Sequence, residues 1–281
     1  FTNLSNLGIH IVNVTQELEE EGVKSFSDSY RTLLEAVEVR RNNAILEIGN
    51  LATPLHETLV QMEKNKFAER FHAKDPSLWT ANLAGQREIR VRMNWLQAPK
   101  DGLNNVGDYS GLNVRLRERC FTTAVLLGMG GSSLAPEVLA TINSFDTKRR
   151  TSELDLVILD STDPEQVAAI EKRTPLEKIV FIVASKSGTT GEINALLDYY
   201  WSRVEKMKGE EAGGQFIAIT DPGTKLDELA RRRRFLMVFN ADPQVGGRNS
   251  ALTAFGLVPA AICGIDVEQL LKNASHMSEL C

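Results

Sequence analysis

At 281 residues the chain has room for one large domain or two modest ones. Apolar residues make up 42% and charged residues 25%, the balance of a soluble globular protein, and no apolar run approaches the roughly 18 residues of a membrane-spanning helix. A net charge of −5 gives no general attraction to nucleic acid or to an anionic membrane, so neither is expected as a partner.

The N-terminal stretch Phe1–Asn6 lacks the basic segment and apolar core of a secretory signal, and it does not begin with methionine. The last residues, Met277 to Cys281, fall inside a helical pattern with no stop signal, so the chain is expected to be a fragment cut at both ends. Its three cysteines, Cys120, Cys263 and Cys281, are an odd number without zinc-ligand spacing. Cys120 and Cys263 are expected as reduced core residues, which places the protein in the cytoplasm.

In chain order, residues 11–46 read as two helices. The first is capped by Asn13 or Thr15 and ended by Gly22; the second runs from about Lys24 to Glu47. Phe26, Tyr30, Leu33, Leu34 and Val37 mark one apolar face that needs a partner, whereas the acidic run Glu17–Glu21 reads as a solvated face. Leu51, Leu55, Leu59 and Met62 form a second stripe. Asp75 to Trp79 reads as a turn with an aromatic anchor, and Gln86 to Trp95 as a helix burying Ile89, Met93 and Leu96. Pro99 to Gly102 is expected to be a break. His56 and His72 have no carboxylate or cysteine at ligand spacing, and no metal site is expected.

The texture changes at Thr122. Short apolar runs at 123–127, 154–159, 179–183, 216–219 and 235–239 alternate with helical patterns, which predicts an α/β protein with a five-stranded parallel sheet covered on both faces by helices. Asp163 with Pro164, and Thr224, are expected helix starts. Arg231–Arg234 end a helix and are expected in solvent, with a dedicated anion site as the lesser reading. In such sheets ligands bind beyond the carboxyl ends of the strands.

Three strand ends carry unusual residues. After the first strand, Gly128 to Pro136 opens Gly-Met-Gly-Gly-Ser-Ser. It is neither a dinucleotide fingerprint nor a P-loop, but its glycines let a backbone approach a ligand and Ser132 and Ser133 offer hydroxyls. After the third strand, Ser185-Lys-Ser-Gly-Thr-Thr190 runs into a helix. Its hydroxyls, Lys186 and free helix N–H groups suit a phosphate, and an ordinary N-cap is the alternative. After the fifth strand, Gly246 and Gly247 free the backbone beside Arg248. That arginine reads either as a salt-bridge partner or as a cation placed where negative charge develops on a reacting oxygen.

Together these three motifs resemble the glucose-6-phosphate isomerase (phosphoglucose isomerase) family, in the family's order and at plausible spacings over about residues 47–281. Sugar-phosphate-binding (SIS) domains of other activities usually lack the Gly-Gly-Arg element. Val14 to about Arg41 is similar to the last helices of bacterial transaldolase, and a transaldolase tail followed by an isomerase is the arrangement of bifunctional transaldolase/glucose-6-phosphate isomerase proteins. The resemblance divides the chain into residues 1–46, the end of a transaldolase-like domain; 47–115, the helical N-terminal part of the isomerase; and 116–281, a truncated first SIS domain.

The resemblance implies interconversion of glucose 6-phosphate and fructose 6-phosphate through a cis-enediolate, without cofactor or metal, by a homo-oligomer. Ser185, Lys186, Ser187 and Thr190 would hold the hexose phosphate, Gly131 and Ser132 would line the sugar, and Arg248 with Gly247 would stabilise the enediolate. Glu192 would stand behind the site, or else be an ordinary glutamate of a helix N-terminus. The family's general base, ring-opening histidine and a later lysine would lie downstream of residue 281, so this chain alone is expected to be inactive. A non-catalytic sugar-phosphate sensor shares the phosphate loop but has no use for Arg248; an aminosugar isomerase fits poorly with the transaldolase-like head.

Overall fold

The computed structural model describes residues 10–145 and 154–280, which form two compact units divided between Phe71 and His72. Phe1–Asn6 and Cys281 lie outside the described residues.

In the first unit a single helix, α1 (Ile11–Ile48), runs unbroken past Gly22 to Gly49, where a φ of +61° ends it. Gly22 does not stop the helix. One interior glycine costs about 1 kcal/mol against alanine, which the strong helix formers on either side absorb. Neither Asn13 nor Thr15 is the cap; the helix begins after His10, and the Thr15 hydroxyl bonds back to the carbonyls of Ile11 and Val12. The expected stripe does form on α1 but stays open, with Phe26 81% exposed. On α2 (Ala52–Lys64), Leu55 and Leu59 are also exposed.

The second unit begins with the turn at Asp75, whose carboxylate takes the Ser77 N–H at 2.9 Å. Pro76 is its buried residue, and Trp79, expected as the anchor, is 52% exposed. Asn82 caps α3 (Leu83–Arg90). That helix was expected to reach Trp95 but stops at Arg90, because Met93 is claimed by a bridge to Val245 and the Asn94 N–H donates to the Gln244 carbonyl at 3.1 Å. Long-range pairing here overrides the local helical spacing. Pro99 starts α4 (Ala98–Asn104) instead of breaking the chain, since a proline in the first helical turn forfeits no hydrogen bond. α5 (Leu112–Glu118) then leads into the sheet, with Cys120 between them in the left-handed region at φ +65°. Cys120 is exposed, not a core residue: it belongs to the turn that ends α5, while Cys263 is buried as expected.

All five strands fall on the expected runs: β1 (Thr123–Gly128), β2 (Asp155–Leu159), β3 (Ile179–Ala184), β4 (Phe216–Thr220) and β5 (Met237–Asn240). They are parallel, in the order β2-β1-β3-β4-β5. Alternate residues go to opposite faces, and both faces are buried. Ala124, Leu126, Val180 and Ile182 meet α5, α10 (Ala254–Ile262) and α11 (Val267–Leu280). Val125, Phe181, Val183 and Phe216 meet α8 (Gly191–Lys208) through Leu196, Tyr200 and Trp201. Phe181 stacks on Tyr200 at 4.4 Å and on Phe216 at 5.3 Å, and burying such a side chain contributes about 1.5–3 kcal/mol.

The remaining connections are α6 (Gly131–Ser144), α7 (Pro164–Arg173) and α9 (Lys225–Arg232). Asp163 and Thr224 cap α7 and α9 as the sequence implies. Of the four arginines at the end of α9, Arg233 is not in solvent. Its guanidinium lies 4.4 Å over the Trp201 ring, because the chain turns back there to bring Phe235 under Trp201.

Candidate functional site

The strand order reverses direction between β1 and β3, where the two connections leave toward opposite faces and open a crevice at the carboxyl edge. A cleft of about 430 Å³ occupies it. From the β1 end come Met129, Gly131 and Ser132; from the β3 end, Ala184, Ser185, Lys186, Ser187 and Thr190; beyond β4, Asp221; beyond β5, Gly247. The structure thus gathers Gly131, Ser132, Ser185, Lys186, Ser187, Thr190 and Gly247 around one space. A second cavity, of about 390 Å³, lies between residues 106–113 and 261–268; its charged side chains are Asp266 and Glu268, the wrong sign for a phosphate.

The β3 turn is built to present donors. Gly188 holds φ +64°, and a Cβ there would stand 2.9 Å from the Leu226 nitrogen, so the turn packs directly on the start of α9. Thr190 occupies the N-cap position of α8, yet its side chain caps no helix N–H. It pairs with the Ser185 hydroxyl at 3.1 Å instead. The ordinary N-cap reading of Thr190 therefore does not hold, and the first-turn N–H groups of α8 are left without a cap from Thr190. The Ser187 hydroxyl accepts from both the N–H and the hydroxyl of Thr189, at 3.2 and 2.9 Å. Lys186 is a committed charge: its Nζ lies 2.9 and 2.7 Å from the two oxygens of Asp221. Burial holds the Asp221 carboxyl above its ordinary value; Lys186 pulls the other way, and Asp242 adds to the rise.

The β1 turn and the β5 loop touch. A Cβ on Gly131 would meet the Gly247 carbonyl oxygen at 2.2 Å. Ser250 ties the contact, donating to the Gly247 carbonyl at 2.7 Å with the Gly131 carbonyl at 3.5 Å. Ser133 faces inward, buried and bonded to the Gly130 carbonyl at 3.1 Å, so only Ser132 of the pair reaches the cleft. The reading that Gly246 and Gly247 free the backbone needs correcting. Neither has a positive φ, and a Cβ at either would meet nothing within 4 Å; the residue whose smallness matters is Gly131.

Two expected residues stay outside the cleft lining. Arg248 is exposed in the turn Gly247–Leu252, and among the described residues it forms no ion pair. Glu192 is exposed on the first turn of α8. Conversely, Arg92 lines the cleft and was missed. It reaches there because Met93 bridges Val245, and nothing in the sequence near Arg92 signals that pairing. Among the described residues no group of three or more His, Cys, Asp or Glu side chains could hold a metal ion, and no helix is long and apolar enough to cross a membrane.

Fold and cleft define a parallel α/β protein with a cleft lined by hydroxyl and cationic side chains at its switch point. The family model for phosphoglucose isomerase matches residues 105–280, and the chain belongs to that family. It is 36% identical over 171 residues to a glucose-6-phosphate isomerase of Carboxydothermus hydrogenoformans, covering 59% of this chain and 37% of that protein. It is 37% identical over 162 residues to that of Prochlorococcus marinus strain NATL2A, covering 57% and 30%. The chain thus spans about a third of the length of the curated relatives it matches. Among solved structures it is similar to a hypothetical protein from Thermus thermophilus, with a TM-score of 0.62 at 26% identity over 79% of this chain and 49% of that one. A glucose-6-phosphate isomerase from Chlamydia trachomatis shares the fold, with a TM-score of 0.51 at 23% identity over 74% and 38%.

Proposed function

We propose that the cleft binds the phosphate and sugar of a hexose 6-phosphate, as part of a longer enzyme that interconverts glucose 6-phosphate and fructose 6-phosphate. The observation that carries this reading is the convergence on one cleft of three strand-end motifs that lie far apart in the chain. The hydroxyls of Ser185, Ser187 and Thr190 and the N–H groups at the start of α8 would hold the phosphate. The sugar would extend past Ser132 and Gly131 toward Gly247, bringing its C1–C2 end near the loop that carries Arg248. A permanent cation there suits an enediolate, because negative charge appears on the sugar oxygens only as the proton leaves carbon. Glu192 would act from behind, through the helix start.

The same reading extends to the remainder of the longer protein. Residues 1–46 would be the end of a transaldolase domain, 47–115 the helical lead of the isomerase and 116–281 most of its first sugar-isomerase domain. The general base would lie further along, so this chain alone would bind and not turn over. The enzyme would work in the cytoplasm, as a homo-oligomer, without cofactor.

Calorimetric titration of the chain with fructose 6-phosphate tests the site. Saturable binding that a Ser185→Ala, Thr190→Ala double variant loses supports it. Binding unaffected by the double variant goes against it, whereas isomerase turnover by the chain alone would overturn only the placing of the general base further along.

A further inference from the structure

The hydroxyl and cationic side chains that line the cleft suit a phosphate, but one charged group there does not. Asp221 puts a carboxylate on the wall of an anion site, where it repels the ligand. What it does to its neighbour explains its presence. The ammonium of Lys186 has three N–H donors, and three acceptors take them: the two Asp221 oxygens at 2.9 and 2.7 Å and the Asp242 carbonyl at 3.2 Å. The backbones are tied as well, the Asp221 N–H donating to the Lys186 carbonyl at 3.3 Å. Asp242 is fixed in turn. Its carboxylate accepts from the Asn94 amide and from the Gln244 N–H, and Asn94 accepts from Lys74 at 2.5 Å.

We propose that Asp221 is a positioning residue of the phosphate cleft: it holds the Lys186 ammonium against the wall, so that a bound phosphate is gripped by hydroxyl and N–H donors, and losing the Asp221 charge tightens anion binding. This rests on the phosphate reading above. Burial is the main reason that the Asp221 carboxyl protonates more readily than usual, with Asp242 adding to it and Lys186 opposing it. The charged groups around Asp221 are Lys186 from the β3 turn, Asp242 from the β5 loop and Arg92 of the cleft lining, itself paired with Glu88 at 3.0 Å; Asp227 of α9 is turned to Gly223 and Arg231. As pH falls, Asp221 therefore takes up its proton ahead of an ordinary carboxylate, which weakens its hold on Lys186.

The probe is sulfate, whose charge stays constant from mild acid to neutral pH. It is titrated into the full chain while the backbone amides of residues 185–192 are followed by NMR. Asp221→Asn should bind sulfate about threefold to tenfold more tightly at neutral pH, the range of a partly exposed ion pair. The wild-type chain should tighten on acidification and the variant should not. A second measurement needs no variant: by reciprocity, sulfate must raise the titration midpoint of the Asp221 carboxyl carbon. Equal or weaker binding by Asp221→Asn, or an Asp221 midpoint that sulfate leaves in place or lowers, overturns the grip while leaving the phosphate site standing. Amides at 185–192 that ignore sulfate in both proteins overturn both.

Discussion

A methyl group placed on Gly131 would stand 2.2 Å from the carbonyl oxygen of Gly247, closer than any relaxed contact permits. The first turn of α6 and the loop after β5 therefore touch through bare backbone, and Ser250 bonds across the contact. What the added carbon would meet is backbone, which cannot swing aside as a side-chain tip can. Gly131→Ala must push the β5 loop outward and carry Gly247 and Arg248 with it. The expected cost is about 1–3 kcal/mol in denaturant unfolding, with a loss of sugar-phosphate affinity beyond that of Gly246→Ala, where the space is open. Equal stability and affinity for both variants would show that the loops are free to part.

Thr190 spends its hydroxyl on Ser185 and leaves the start of α8 uncapped by its side chain. Thr190→Val keeps the shape and removes one donor. Stability should fall by only about 1 kcal/mol, the net worth of one hydrogen bond. Affinity for fructose 6-phosphate should fall further, on the order of tenfold, because a bond to a charged group is lost. Calorimetry beside thermal unfolding separates the two. A variant that loses stability and keeps affinity would make Thr190 a structural residue alone.

The strands were legible because a parallel sheet covered on both faces demands near-continuous apolar runs, and 179–183 is one. The site was legible in its turns for a related reason: hydroxyls and glycines clustered at strand ends have few structural uses. What the sequence could not show is anything decided across long separations. Lys186 reads as a free cation until Asp221, 35 residues on, is seen to hold it. Arg92 reads as a helix-surface residue until Met93 is seen bridged to Val245. Gly22 and Pro99 misled for a local reason. Both residue types are disfavoured in helix interiors, and here one is tolerated inside a 38-residue helix and the other begins one.

Phe181 touches Tyr200 and Phe216 at the centre of one core face, fully buried. Phe181→Ala should cost about 3–5 kcal/mol, transfer and cavity together, read from the shift of the urea midpoint. Because Ser185 follows the same strand, the variant should also broaden the amide signals of the phosphate turn. A loss under about 1 kcal/mol would mean that the ring stack is not a tight core.

Tyr109 gives the chain a base-sensitive element. It is half-buried against the β5 side of the core, its ring 6.2 Å from Phe239. Burial first, and the neighbouring Asp108 second, push its hydroxyl from 10.0 up to about 12. The sign follows from linkage. Below the unfolded value both states keep the proton, and stability does not depend on this group. As pH rises past about 10 the unfolded chain ionises first, so stability falls until the folded hydroxyl also titrates near 12. The loss should be about 2 kcal/mol once discounted for partial exposure. Tyr109→Phe removes it, whereas Tyr199 and Tyr200, whose hydroxyls are also raised by burial, titrate in both proteins and cancel in the difference. Urea unfolding at neutral pH and at two alkaline values should therefore show the variant gaining on the wild type as pH rises. A constant gap between the two proteins would place the Tyr109 hydroxyl in contact with water.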